Sequence, residues 1–152
     1  MKVLKDIGTV AVIIAVVIGL KYLIDLPDGP PGGKVGVLTE AAFEQSVLRS
    51  DVPVAVDFRS RFCGACKLYR YKLEDASVKF DGRMKYYELD INDAARLADR
   101  YGIEALPTTH IFVNGKITAT LRGNVSKGEL EKRSLEAIAR AAAIPKASAS
   151  AR

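Results

Sequence analysis

The run Pro53-Val54-Ala55-Val56-Asp57-Phe58 constrains the fold more than any other stretch. It is short, mostly apolar and rich in β-branched residues, as expected of a central strand buried on both faces. Such a strand requires a sheet with a covering layer on each side. The elements around it alternate accordingly. Thr39 is placed to cap a helix reaching Ser50, with Phe43 and Val47 on one face. A helix is expected from about Cys63 towards Phe80, and "MKYYEL" (84–89) reads as a second strand. Residues 93–101 are expected to be helical, with Ala94, Leu97, Ala98 and Tyr101 inward and Gly102 as the stop. "TTHIFV" and "KITATLR" flank Asn114-Gly115, a strong hairpin signal. Ser126-x-x-Glu129 is a capping box opening a last helix, with Leu130, Ile138 and Ala142 on its buried side. This order predicts an α/β fold: a central mixed sheet with parallel neighbours, an antiparallel edge, and helices on both faces.

The ends differ in character. Residues 1–6 form a short basic segment with Lys2 and Lys5, and residues 7–26, "IGTVAVIIAVVIGLKYLIDL", are apolar apart from Lys21 and Asp25. About 20 such residues suffice to cross a bilayer, with Lys21 snorkelling its ammonium to the headgroups. A cleaved signal peptide, giving an exported soluble protein, is the competing reading. Small-x-small cleavage triplets are missing where the run ends at "IGLKYLID". We therefore expect one N-terminal transmembrane helix. Lys2 and Lys5 precede it, which leans towards an extracytoplasmic folded domain; a cytoplasmic-facing orientation is the alternative. Residues 27–36 are a Pro/Gly linker, 37–142 the globular domain, and 143–152 a small, polar tail expected to be disordered.

The formal net charge is +5, but the basic residues are scattered among 18 acidic ones. That argues against a nucleic-acid interface, which concentrates its charge. Two cysteines cannot build a disulfide scaffold, and two cysteines with one histidine do not make a four-ligand zinc site. The cysteines stand as Cys63 and Cys66 within "RSRFCGACK". A CxxC where a strand enters a helix places its first sulfur near the helix N-terminus. There, free N–H groups and the macrodipole favour a thiolate. The second cysteine lies one turn inside, able to attack a mixed disulfide formed by the first. Cys63 is thus the candidate nucleophile and Cys66 the resolving thiol. Gly64 would let a substrate backbone approach, and Ala65 keeps the turn small. Spacing alone leaves half a metal site or a small structural disulfide open.

Three segments in register narrow this. "VAVDFRSRFCGACK", "YGIEALPTTHIFVNGK" and "GNVSKGEL" resemble the strand, active-site loop, cis-proline loop, hairpin and glycine turn of the thioredoxin family, over residues 37 to about 142. The resemblance implies a thioredoxin-like fold and disulfide exchange with protein substrates. It makes Cys63 and Cys66 the redox pair, and that disulfide takes the place of a bound cofactor. It makes Pro107 a cis proline, with Leu106-Pro107 aligning substrate. Asp57 becomes the buried acid that moves the Cys66 proton, and Gly123 lines the substrate groove. Expected partners are protein thiols and disulfides and an upstream redox protein, with the chain itself monomeric and binding neither metal nor nucleic acid. A redox-inactive holding module is the alternative.

The departures matter as well. Arg59 and Phe62 replace the family's usual tryptophans, and Phe62 still offers substrate an apolar contact. Arg59, Arg61, Lys67 and Arg70 surround the motif; they read either as solvated surface or as charges that lower the Cys63 pKa. Ala65 replaces the usual proline, so a less reducing potential than that of thioredoxin is expected. Tyr71 replaces a kinking proline, which should leave a straighter helix. Glu88 stands where a lysine is usual, facing either Asp57 or solvent. His110 is expected to pack between sheet and helix.

Overall fold

The computed structural model describes residues 12–17 and 33–144. A five-stranded sheet in the order β1-β3-β2-β4-β5 forms its centre. The strands are β1 (Val35–Val37), β2 (Val54–Arg59), β3 (Lys85–Asp90), β4 (Thr108–Val113) and β5 (Lys116–Arg122). β3 runs parallel to both β1 and β2, whereas β4 is antiparallel to β2 and β5. The mixed sheet and its antiparallel edge match the expectation. A π-helical segment, α1 (Glu44–Leu48), and α3 (Ala95–Arg100) contribute to one covering layer. α2 (Gly64–Lys79) and α4 (Lys127–Ala143) form the other.

β2 is central and buried along its length, so each of its faces must be filled. Val54, Val56 and Phe58 point into one core with Phe43, Val47, Leu89, Leu97 and Phe112. Ala55 points the other way, packing with Tyr69, Leu73, Tyr86, Ile111 and Leu130. The period-two alternation of strand side chains produces this division.

The local signals work in part: the helix expected from Thr39 to Ser50 is a shorter π-helical segment, Glu44–Leu48, whose N-cap is Phe43, and Thr39 instead closes the turn before it. Thr39 Oγ1 accepts from the Ala42 N–H, and Ser126 caps α4 by accepting from the Glu129 N–H. Asn114 and Gly115 both take positive φ, 50° and 73°, as the tight hairpin requires. A Cβ at residue 115 would also come within 2.8 Å of the Leu48 carbonyl oxygen.

Three further expectations need correction. The folded domain begins before Val37, because Val35 and Gly36, read as linker, pair with Tyr86 and Tyr87 in β1. A three-residue strand beside glycines has no readable alternation; only pairing with β3 defines it. Ala142 is exposed, and α4 instead buries Leu130, Ser134 and Ala137, with Ala141 partly covered. At 3.6 residues per turn, Ala142 lies about 120° around the helix from Leu130. Lastly, of the expected 7–26 span only residues 12–17 are described, as helix with exposed side chains; the remainder lies outside the described residues. Among the described residues no helix is long and apolar enough to cross a membrane. Residues 1–6 and most of the tail also lie outside them.

Candidate active site

Cys63 is the N-cap of α2, where the backbone turns from extended to helical. Its Sγ accepts a hydrogen bond from the Cys66 N–H at 3.1 Å, so it sits on the unsatisfied donors of the first turn. Cys63 and Cys66 are joined in a disulfide, with Cα atoms 5.3 Å apart. Cys63 is half-buried and Cys66 fully buried. An incoming thiolate therefore meets Cys63 first. Cys66 heads the inward stripe of α2 that continues through Tyr69, Leu73 and Ala76.

The Leu106-Pro107 bond is cis. Thr108, the next residue, pairs with Phe58 at the C-terminal end of β2, so the proline loop and the start of α2 share one end of the sheet. Gly123 takes φ +76° and donates its N–H to the Pro107 carbonyl at 2.7 Å, which ties the two loops together.

Asp57 is wholly buried on the α2 side of β2. The Thr109 hydroxyl donates to its Oδ1 at 3.0 Å, and Oδ2 has no hydrogen-bond partner among the described residues. Burial pushes the Asp57 pKa well above the usual carboxylate range, opposed by the Thr109 hydrogen bond and reinforced by nearby Glu88. The same burial raises the Tyr69 hydroxyl, which lies 3.2 Å from Thr109 Oγ1. A buried acid on this face has the chemistry to exchange a proton with a buried thiol.

The sequence model of the thioredoxin family matches residues 34–136. The chain belongs to the thioredoxin family. It is 36% identical over 93 residues to a thioredoxin of Pseudomonas aeruginosa, spanning 61% of this chain and 86% of that one. It is 33% identical over 97 residues to a thioredoxin of Porphyra purpurea, spanning 64% and 91%. With the bonded Cys63–Cys66 pair, these likenesses make it a thiol–disulfide oxidoreductase.

Against that background the departures gain definite positions. Phe62 is among the most exposed apolar side chains, beside the disulfide, and Gly64 and Ala65 are exposed with it. Leu106 is half-buried. The arginines, read either as solvated surface or as charges acting on Cys63, are directed elsewhere. Arg61 is exposed but bonds Asp90 and Asp93. Arg59 donates to Glu88 at 3.1 Å, Arg70 also donates to Glu88, and Arg70 reaches Glu74 at 3.2 Å. Glu88 itself is 3% exposed and paired across the sheet with Asp57, so it does not face solvent. Lys67 is exposed.

Sequence reasoning missed Glu74, Tyr69 and Thr109. Strand alternation carried a signal for Thr109, two residues after Pro107 and directly opposite Asp57. Helix spacing carried one for Tyr69 and for Glu74, which is i+4 from Arg70. His110 packs as expected, edge-on against Phe58 and Phe112, with Nδ1 2.9 Å from Thr120 Oγ1. Among the described residues no group of three or more His, Cys, Asp and Glu could hold a metal ion.

Proposed function

We propose that this chain exchanges disulfides with protein substrates from a membrane anchor formed by residues 7–26. The observation that carries the exchange is the half-buried Cys63 sulfur bonded to buried Cys66, at the sheet end that also holds cis Pro107. In the reducing direction, the Cys63 thiolate attacks a substrate disulfide and one substrate thiolate leaves. Cys66 Sγ then attacks Cys63 Sγ. Their disulfide forms, the Cys63–substrate bond breaks, and the second substrate thiolate departs with the bonding pair. The Cys66 proton passes to Asp57, and two electrons have moved to the substrate. A dithiol redox protein upstream restores the pair. Phe62, Gly64, Ala65, Leu106 and Gly123 form the contact surface for an extended substrate segment.

Insulin-disulfide reduction by wild type and by Cys63→Ser tests the reading. Loss of activity in the variant is expected; equal rates would leave only a holding function. A Cys66→Ala variant expressed in its own cells should retain substrates as mixed disulfides at Cys63.

The anchor rests on the length and apolarity of residues 7–26. The preceding lysines slightly favour an extracytoplasmic domain over a cytoplasmic-facing one. Protease added to spheroplasts should digest residues 37–152, and full protection would refute that placement.

A further inference from the structure

The N-terminal segment joins the folded domain at a defined place. The Lys34 N–H donates to Ser77 Oγ at 2.8 Å and the Val35 N–H to Glu74 Oε2 at 3.2 Å, while Lys34 Nζ bonds Asp81. A Cβ on residue 33 would meet Glu74 Oε2 at 1.6 Å, so this close approach requires glycine. The entry is thus held against the C-terminal half of α2. Val35 pairs with Tyr86, level with Ala55 near the start of β2, whereas the disulfide follows the end of β2. The chain therefore enters at the end of the sheet opposite the disulfide.

That end is basic. Lys85 pairs with Val54, Val54 with Phe112, and Lys116 with Val113, so the start of β3 and the β4–β5 hairpin lie together there. Arg140, near the end of α4, shares a cleft with Thr118 of β5. Arg83, Lys85, Lys116 and Arg140 are all exposed, and none has an ion pair among the described residues. Asp51 is an exposed carboxylate in the same region. Ile117 and Ile144, 43% and 41% exposed, stand among these cations. At the disulfide end the signs mix: Arg61 bonds Asp90 and Asp93, and exposed Lys67 and Arg122 are accompanied by exposed Glu104.

We propose that this basic pole docks on an anionic lipid surface and holds the disulfide on the far side, towards partners in the aqueous phase. The proposal rests on the membrane-anchor reading. Residues 27–32, between the proposed span and the held entry at Gly33, reach no further than about 20 Å. The pole is therefore kept close to the bilayer. Cations without carboxylate partners, interspersed with aliphatic side chains, suit headgroups over a hydrocarbon layer. Each Lys or Arg brought to such a surface favours docking about fivefold.

The chain has no tryptophan, so a single introduced one reports alone. Full-length Ile117→Trp and Phe62→Trp, reconstituted in vesicles with a dansyl headgroup lipid, place the donor at the basic pole and at the disulfide end. In an equal mixture of phosphatidylcholine and phosphatidylglycerol, Ile117→Trp should transfer energy strongly and Phe62→Trp weakly. The Ile117→Trp signal should fall towards that of Phe62→Trp in pure phosphatidylcholine, in high salt, and when Lys85→Glu and Lys116→Glu are added. Lys85→Gln alone should lower the docked-to-undocked ratio about fivefold. A signal indifferent to phosphatidylglycerol would overturn the proposal and leave the pole to an acidic protein. A stronger signal from Phe62→Trp would overturn it as well. Should Ile117→Trp not fold, Ile144→Trp reads the same pole. Extraction of the chain by alkaline carbonate would instead refute the anchor, while transfer from Ile117→Trp to added vesicles still decides whether the pole meets anionic lipid.

Discussion

The two faces of β2 are built from opposite chemistry. Towards α1 and α3, Val54, Val56 and Phe58 keep the interior apolar along the whole strand. The only histidine of the chain, His110, lies on this face opposite Val56 and is held neutral-favouring by burial. Towards α2, the character changes along the same six residues. Ala55 sits in an aromatic and aliphatic core, Asp57 is a buried acid, and Arg59 is a buried ion pair. The polar end is the one at which the disulfide lies. One face is an apolar core, and the other carries a buried acid and ion pairs at the end where the disulfide lies.

The comparison can be broken by truncation on each side. Phe112→Ala on the apolar face should destabilise by about 3–5 kcal/mol through lost burial and a cavity. Glu88→Ala should cost a similar amount, about 3–5 kcal/mol, for a different reason: it leaves the buried Arg59 guanidinium without its carboxylate and takes one of two carboxylates from Arg70. Replacing Arg59 and Glu88 together by Met and Leu should cost less than Glu88→Ala alone, because Arg70 keeps Glu74. Urea unfolding of the set checks this; a double replacement costing as much as Glu88→Ala or more would mean that Arg59 and Glu88 are not coupled.

The pH responses come next and have opposite signs. The folded-state pKa of Asp57 is raised, so between the ordinary carboxylate value and that raised value the folded chain binds more protons than the unfolded one. Its contribution to stability falls as pH rises through this window. Asp57→Asn should therefore gain stability relative to wild type as pH rises above the ordinary carboxylate value. For His110 the folded-state pKa is lowered, chiefly by burial. Its contribution is complete above the ordinary imidazole value and is lost as pH falls through the lowered one. Wild type should lose stability as pH falls below the ordinary imidazole value, and His110→Gln should flatten that loss. Urea midpoints across pH separate the two residues.

The smallest effect concerns a buried hydrogen bond in the core on the α2 side of the sheet. Tyr86 donates its hydroxyl to Ser134 at 2.7 Å, both buried, and burial pushes its pKa up to about 12. Tyr86→Phe should cost about 1 kcal/mol, since the ring keeps its packing and one hydrogen bond is lost. A larger loss would mean that the polar character extends deeper into this core than the geometry indicates.

How much of this was legible depended on range. The apolar run at β2, the cap at Ser126 and the Asn114-Gly115 turn act within a few residues, so the sequence displayed them. The disulfide pair and the proline loop were legible as local motifs in family register. β1 was not, because a three-residue strand has no period and exists through its pairing with β3. Arg59 and Arg70 were misjudged for a related reason, whereas Arg61 is exposed as one reading had it. A basic residue beside a CxxC looks the same whether it meets solvent, sulfur or a carboxylate 29 residues away.

The sequence by itself determined the alternation of elements, the thiol chemistry and the class of fold, because periodicity, capping and motif spacing are properties of neighbouring residues. Only the tertiary structure decided that Glu88 turns inward between Arg59 and Arg70, and that Thr109 holds Asp57. Strand register and the docking of α2 bring together side chains far apart in the chain. The ion pairs beside the buried acid exist only once those elements have packed.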